Sequence, residues 1–166
     1  MMLLVTDSSV FFDMIKIEAL SGFFTLDFEI CTSDFVQNEI LEFDQRQQIE
    51  VFVRTKKLTV FELSGDEIDE VIRFKTKRVF KTLIDKTVLW KAKQLECPLL
   101  TCDGKLRKEA EEQGVQVHGS LWVIMKMAEQ EIVTKKVGVE FLEQLKRIND
   151  RIPLQEVDKL IKQLKQ

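Results

Sequence analysis

Four carboxylates, Asp7, Glu39, Asp85 and Asp103, stand where a charged residue is out of place. Asp7 ends the apolar run that starts at Met1, and Asp103 ends Pro98-Leu99-Leu100-Thr101-Cys102. Short apolar runs bounded in this way read as buried strands, so both acids cap strand C-termini. Glu39 lies three residues after Val36 and four before Phe43, which sets it inside the apolar stripe of a helix. Asp85 precedes Val88, Leu89 and Ala92 by three, four and seven residues and takes the core-facing side of its helix. Each acid alone has a local explanation: a helix cap at Asp7 or Asp85, a turn at Asp103-Gly104, a snorkelling side chain at Glu39. At one end of one sheet, however, four carboxylates repel and raise one another's pKa unless a cation joins them. Hard cations with oxygen ligands, Mg²⁺ or Mn²⁺, relieve that repulsion and are the usual agents of phosphoryl transfer. The expected centre has Asp7, Asp85 and Asp103 on the metal and Glu39 completing the ligand set or positioning water. Thr6, Ser8, Ser9 and Thr101 flank these acids with hydroxyls able to orient ligands or water.

The elements that must carry these residues alternate. Strands are expected over 2–6, 28–32, 58–62, 98–102 and 115–118. Helices fall over 8–20, 34–55 with room for a break, 65–80, 85–95, 104–113 and 120–130. This βα alternation is that of a parallel α/β sheet, in which ligands bind beyond the carboxyl ends of the strands. Ser64-x-x-Glu67 is a capping box, Asp34 with Gln37 resembles one, and Gly114 stops a helix before Val115. Beyond Val133 two amphipathic helices, 137–148 and 154–165, hinge at Arg151-Ile152-Pro153. The expectation is one α/β domain over 1–133 with a helical extension over 134–166 packed on or beside it.

With 166 residues, 45% apolar and 32% charged, the chain can bury a core of its own. No basic leader precedes the first apolar run and no stretch approaches membrane-spanning length, so the reading is cytoplasmic, with no membrane partner. Cys31, Cys97 and Cys102 lack the spacing of a disulfide framework or a zinc site. Net charge is −3, yet residues 73–108 hold eleven Lys or Arg against three acids, a segment of +8 that leaves −11 on the remainder. A basic block around two of the four acids suits an enzyme acting on a polyanion, with Lys86 and Lys91 on the helix of Asp85 and Lys105 two residues after Asp103 expected to bind substrate. His118, the sole histidine, reads as a surface or edge residue rather than a catalyst, and Trp90 and Trp122 as packing rather than base-stacking. There is no Gly-x-Gly-x-x-Gly, P-loop or nucleophile elbow. A dehalogenase-like phosphatase would need an acid at Ser9, and a phosphoacceptor receiver would need paired acids where Ser8 follows Asp7.

The stretches Val5-Thr6-Asp7-Ser8-Ser9-Val10, Val36-Gln37-Asn38-Glu39-Ile40, Ile84-Asp85 through Leu95, and Leu99-Leu100-Thr101-Cys102-Asp103 resemble, in order and spacing, the four acidic motifs of the PIN-domain nucleases. The prokaryotic VapC-like branch is the most similar. The likeness covers about residues 2–133. It implies a Rossmann-like parallel sheet flanked by helices, cleavage of single-stranded RNA with Mg²⁺ or Mn²⁺, and Asp7, Glu39, Asp85 and Asp103 as the acidic site. It also implies an antitoxin protein as partner and a homodimer. Lys86 and Trp90 stand where the family prefers small residues, a departure expected to narrow the substrate groove or alter its shape. The rival expectation is a non-catalytic PIN-like module that binds nucleic acid or protein.

Overall fold

A computed structural model describes residues 1–166. Five strands, β1 (Met2–Thr6), β2 (Phe28–Ser33), β3 (Leu58–Phe61), β4 (Leu99–Leu100) and β5 (Val117–His118), form one sheet in the order β3-β2-β1-β4-β5. All pairings are parallel, with Val5 opposite Cys31 on one side and Leu99 on the other. Strands buried on both faces are apolar without alternation, and Leu4, Val5, Leu99 and Leu100 have no exposed surface. The fold class read from the sequence is the one observed.

The first two crossovers carry α1 (Ser8–Lys16), α2 (Leu20–Phe23), α3 (Asp34–Glu39) and α4 (Phe43–Arg54). Both step the same way across the sheet. The third returns past β1 through α5 (Gly65–Arg73) and α6 (Leu83–Gln94), and α7 (Gly104–Glu112) leads to β5. Right-handed crossovers that reverse direction place their helices on opposite faces. Accordingly α6 packs on β1, β2, β4 and α7, whereas α1 packs on α3 and on α8 (Ser120–Glu129). Strand order reverses between β1 and β4, and the carboxyl ends of those two strands are where such a sheet opens a crevice.

Several elements differ from their sequence expectations. The break allowed for within 34–55 falls at Ile40–Glu42, but the first half is capped by Ser33, whose hydroxyl accepts from the Val36 N–H at 3.1 Å, rather than by Asp34. The helix expected over 65–80 ends at Arg73, and residues 74–82 run without regular structure. The capping box at Ser64 and Glu67 forms as expected, and Gly114 takes φ +78° at the stop of α7, a conformation glycine adopts freely. In the tail, α9 (Lys135–Ile148) packs on α8 and α10 (Leu154–Lys165) on α9. Val139, Leu142, Leu145, Val157 and Leu164 belong to the same buried cluster as Leu4 and Val10. Gly138 lets the last two helices close together, since a Cβ there would lie 3.0 Å from Leu164 Cδ1.

Candidate functional site: an acidic crevice at the strand switch

Asp7 leaves β1 and caps α1. One carboxyl oxygen takes the Ser9 N–H at 2.9 Å and the Ser9 hydroxyl at 2.5 Å; the other takes a short bond from the Thr101 hydroxyl. The side chain is closed in, leaving the residue only 4% exposed. Burial pushes its pKa up to about 6 against the bonds from Ser9 and Thr101, and Asp85 adds to the rise. Thr101 lies just beyond β4, where its hydroxyl also accepts the Asp103 N–H at 3.0 Å, so one hydroxyl joins two of the acids. Asp103 in turn caps α7 by accepting from the Leu106 N–H at 2.8 Å. Ser9 performs the same service on the other flank: its hydroxyl accepts the Cys102 N–H at 2.8 Å and binds α1 to the end of β4.

Glu39 is the last residue of α3, where Ser8 donates to its carboxylate at 3.0 Å. It is exposed, not set within an apolar stripe. The break at Ile40–Glu42 ends the stripe that its spacing from Phe43 implied, and Phe43 itself is 71% exposed. Asp85, half-buried in the first turn of α6, is the shared member of the cluster. Burial pushes its pKa to about 6, Asp103 and then Glu39 raise it further, and Lys105 pulls it down. Asp85 also raises Asp7, so it is the one acid that stands within electrostatic reach of the other three. No three acids, histidines or cysteines stand at mutual separations that would already hold a metal. Repulsion and separate hydrogen-bond donors, Ser9 and Thr101 for Asp7, Leu106 for Asp103 and Ser8 for Glu39, account for that spread. The donor set itself, hard carboxylate oxygens made costly by burial and like charge, fits a divalent cation of the Mg²⁺ type.

The three lysines expected to meet substrate separate in the structure. Lys105 acts on Asp85, reaches the Val79 carbonyl and lies 5.3 Å over the Phe80 ring. Lys86 donates to the Ile72 carbonyl at 3.1 Å, tying α6 to α5. Lys91 pairs with Glu67 at 3.5 Å and lies over Phe61 and Trp90, in a groove lined by Leu3, Phe28 and Thr59 rather than at the crevice. Trp90 is 5% exposed and packs into the protein.

Two supports of the crevice escaped the sequence reading. Asp13, buried in α1, takes the Ser120 hydroxyl at 2.7 Å and the Asn149 amide at 3.1 Å, and the Cys102 thiol lies 3.5 Å away. The tail is thereby linked to the residue that precedes Asp103. Burial pushes the Cys102 thiol up to about 12, which leaves it protonated and unfit as a nucleophile. Behind Lys105, Glu109 is wholly buried and clamps the 74–82 segment. Its oxygens take the N–H groups of Lys77 and Arg78 at 3.0 Å each and the Arg78 guanidinium at 3.2 Å. A signal existed for both: Asp13 sits between Phe12 and Met14, and Glu109 between Leu106 and Ala110 on one helical face.

Comparison with known proteins adds the lineage. A family model described as a PIN domain matches residues 3–166, the two tail helices included. No curated protein matches the chain. Among solved structures, a PilT N-terminus domain protein from the hyperthermophilic archaeon Sulfolobus solfataricus P2 is similar at 14% identity, with 77% of this chain and 95% of that chain covered and a TM-score of 0.54. A domain of a functionally unknown protein from Methanocaldococcus jannaschii DSM 2661 is similar at 16% identity, 72% and 91% coverage and a TM-score of 0.48. At such identities the likeness bears on fold alone.

Proposed function

The chain belongs to the PIN-domain family, a family of nucleases that generally use divalent metal ions, and we propose that it is an Mg²⁺- or Mn²⁺-dependent endoribonuclease cutting single-stranded RNA. The observation that carries this reading is the gathering of carboxylates at the strand switch, where the Thr101 hydroxyl joins Asp7 to the backbone of Asp103, Ser8 holds Glu39, and Asp7 and Asp85 are both pushed up to about 6. Asp7, Asp85 and Asp103 would hold the metal. Bound there, it would supply Lewis acidity at the scissile phosphate and a more acidic attacking water. Thr101 and Ser9 keep Asp7 oriented and tie it to the backbone at Cys102 and Asp103. Glu39, exposed and fixed by Ser8, stands ready to position water or complete the ligand set. Lys105 supplies the nearest positive charge at the rim, and the segment 73–108 draws the polyanion in. An antitoxin protein and a second copy of the chain are the partners that family membership suggests for it.

One observation favours a second reading, a binding module without turnover: no three acids stand at ligating separations. Incubating the folded protein with a labelled single-stranded RNA, with millimolar Mg²⁺ or Mn²⁺ and again with chelator, separates the two. Cleavage should need the metal and should disappear in Asp85→Asn. A folded wild type that cuts no RNA with either metal would leave the binding module as the function.

A further inference from the structure

The imidazole of His118 lies flat on the indole of Trp122, with ring centroids 4.1 Å apart and planes 10° from parallel. Trp122 continues the column onto Phe28 at 5.4 Å and 19°. Unlike the core aromatics Phe11, Phe23 and Phe24, which are at most 4% exposed, all three members of this column are only half-buried. Two cations attend it, each also paired with a carboxylate on its own helix, Lys126 with Glu129 at 2.5 Å and Arg107 with Glu111 at 3.8 Å. The Lys126 ammonium stands 5.7 Å over the Trp122 ring, one turn along α8, and the Arg107 guanidinium, held by the Thr101 carbonyl at 3.1 Å, acts together with Lys126 on His118. Burial first, and then these two charges, lower the imidazole's pKa, so it stacks as a neutral ring at physiological pH.

The position is as informative as the chemistry. His118 ends β5 opposite Leu100, which lies opposite Thr6, and Asp7 follows Thr6. Two strand spacings, about 10 Å, therefore separate the His118 backbone from the start of the acidic crevice. The Thr101 N–H that donates to the His118 carbonyl at 2.9 Å belongs to the residue whose hydroxyl holds Asp7. Aromatic rings flanked by cations beside a phosphate-handling site are what an unpaired nucleotide needs: a face for the base and charge for the backbone.

We propose that the His118–Trp122 stack, with Arg107 and Lys126, is a subsite that receives an unpaired base of the RNA strand on the β5 side of the crevice. The proposal rests on the ribonuclease reading for the identity of its ligand, and it adds a reason for single-strand preference. A base paired in a duplex has no free face to offer. Stacking tolerates any base, so the subsite selects for unpaired nucleotides and not for sequence.

The chain has one histidine, so its imidazole gives a single assignable set of NMR signals. Wild-type protein in chelator, where no cleavage depletes the ligand, is titrated with a single-stranded oligoribonucleotide and with an abasic oligomer of equal length. The His118 ring signals should move upfield with the first and stay with the second. His118→Ala should weaken binding of the base-bearing oligomer about tenfold and leave the abasic one unaffected, while His118→Phe keeps the wild-type affinity. Binding of RNA with the His118 signals unmoved would overturn the subsite and leave the ribonuclease intact. Movement of those signals in a protein that cuts no RNA with either metal would support the subsite and sink the ribonuclease. Failure of the RNA to bind at all would overturn the subsite.

Discussion

Replacing Asp7 by Asn should make the metal-free protein more stable at neutral pH while abolishing the proposed RNA cleavage. Burial pushes the Asp7 carboxyl up to about 6 in the fold, against 3.8 for a free side chain. Because the folded pKa is raised, the native state favours the protonated carboxyl. Stability is lost as pH rises from about 4 through about 6, and the full cost is present above that range. Two pKa units amount to about 3 kcal/mol. Asparagine keeps an oxygen for the Ser9 N–H but turns an amide toward Thr101, whose hydroxyl must give up its donated bond at a cost of about 1 kcal/mol. The net gain of about 2 kcal/mol corresponds to a melting temperature higher by about 4–8 °C for a chain of this size. Melts of both proteins in chelator, at about pH 7.5 and about pH 4.5, read the effect as a difference that cancels the other titrating groups. The variant's advantage should shrink at the lower pH. Adding Mn²⁺ at neutral pH should raise the wild-type melting temperature and leave the variant nearly unmoved, since a cation stabilises only through its affinity for the native state. A variant less stable by the same amount at both pH values, with a wild type indifferent to Mn²⁺, would mark Asp7 as an ordinary helix cap and refute the electrostatic argument.

Two further outcomes follow from the clamp and the rim. Glu109→Gln removes a buried charge that burial alone would push up in pKa but that Gln113, Lys77 and Arg78 hold below the usual range. It should cost about 2–3 kcal/mol and expose Lys75, Lys77 and Arg78 to trypsin within an otherwise folded protein; an unchanged melt and digestion pattern would show that the segment is ordered without the clamp. Lys105→Ala should weaken single-stranded RNA binding in chelator and flatten the slope of log K against log salt by about 0.7, and an unaltered slope would place the RNA path away from this lysine.

The α/β class, the two strand-end aspartates and the capping box at Ser64 were legible in the sequence, because apolar runs, their flanking residues and cap pairs are local signals. Glu39 was singled out by a spacing rule that the structure does not follow. Its spacing from Phe43 implied a stripe, yet the chain breaks at Ile40–Glu42 and the acid is exposed. The helix over 65–80 failed for a different cause. Nothing within 74–82 forbids a helix, but Glu109, about thirty residues further on, takes the backbone N–H groups of Lys77 and Arg78. Larger separations in sequence hid the Asp13–Ser120–Asn149 contact and the packing of Phe28 on Trp122. Separation along the chain hid as well the divergence of Lys91 toward Glu67 and of Lys105 toward the acids. Local patterning sets which residue types end strands and line helix faces. Which donors meet a given carboxylate, and which of several lysines reaches it, depends on how elements remote in the chain pack, and that is decided only when the sheet order and the buried polar pairings are satisfied together.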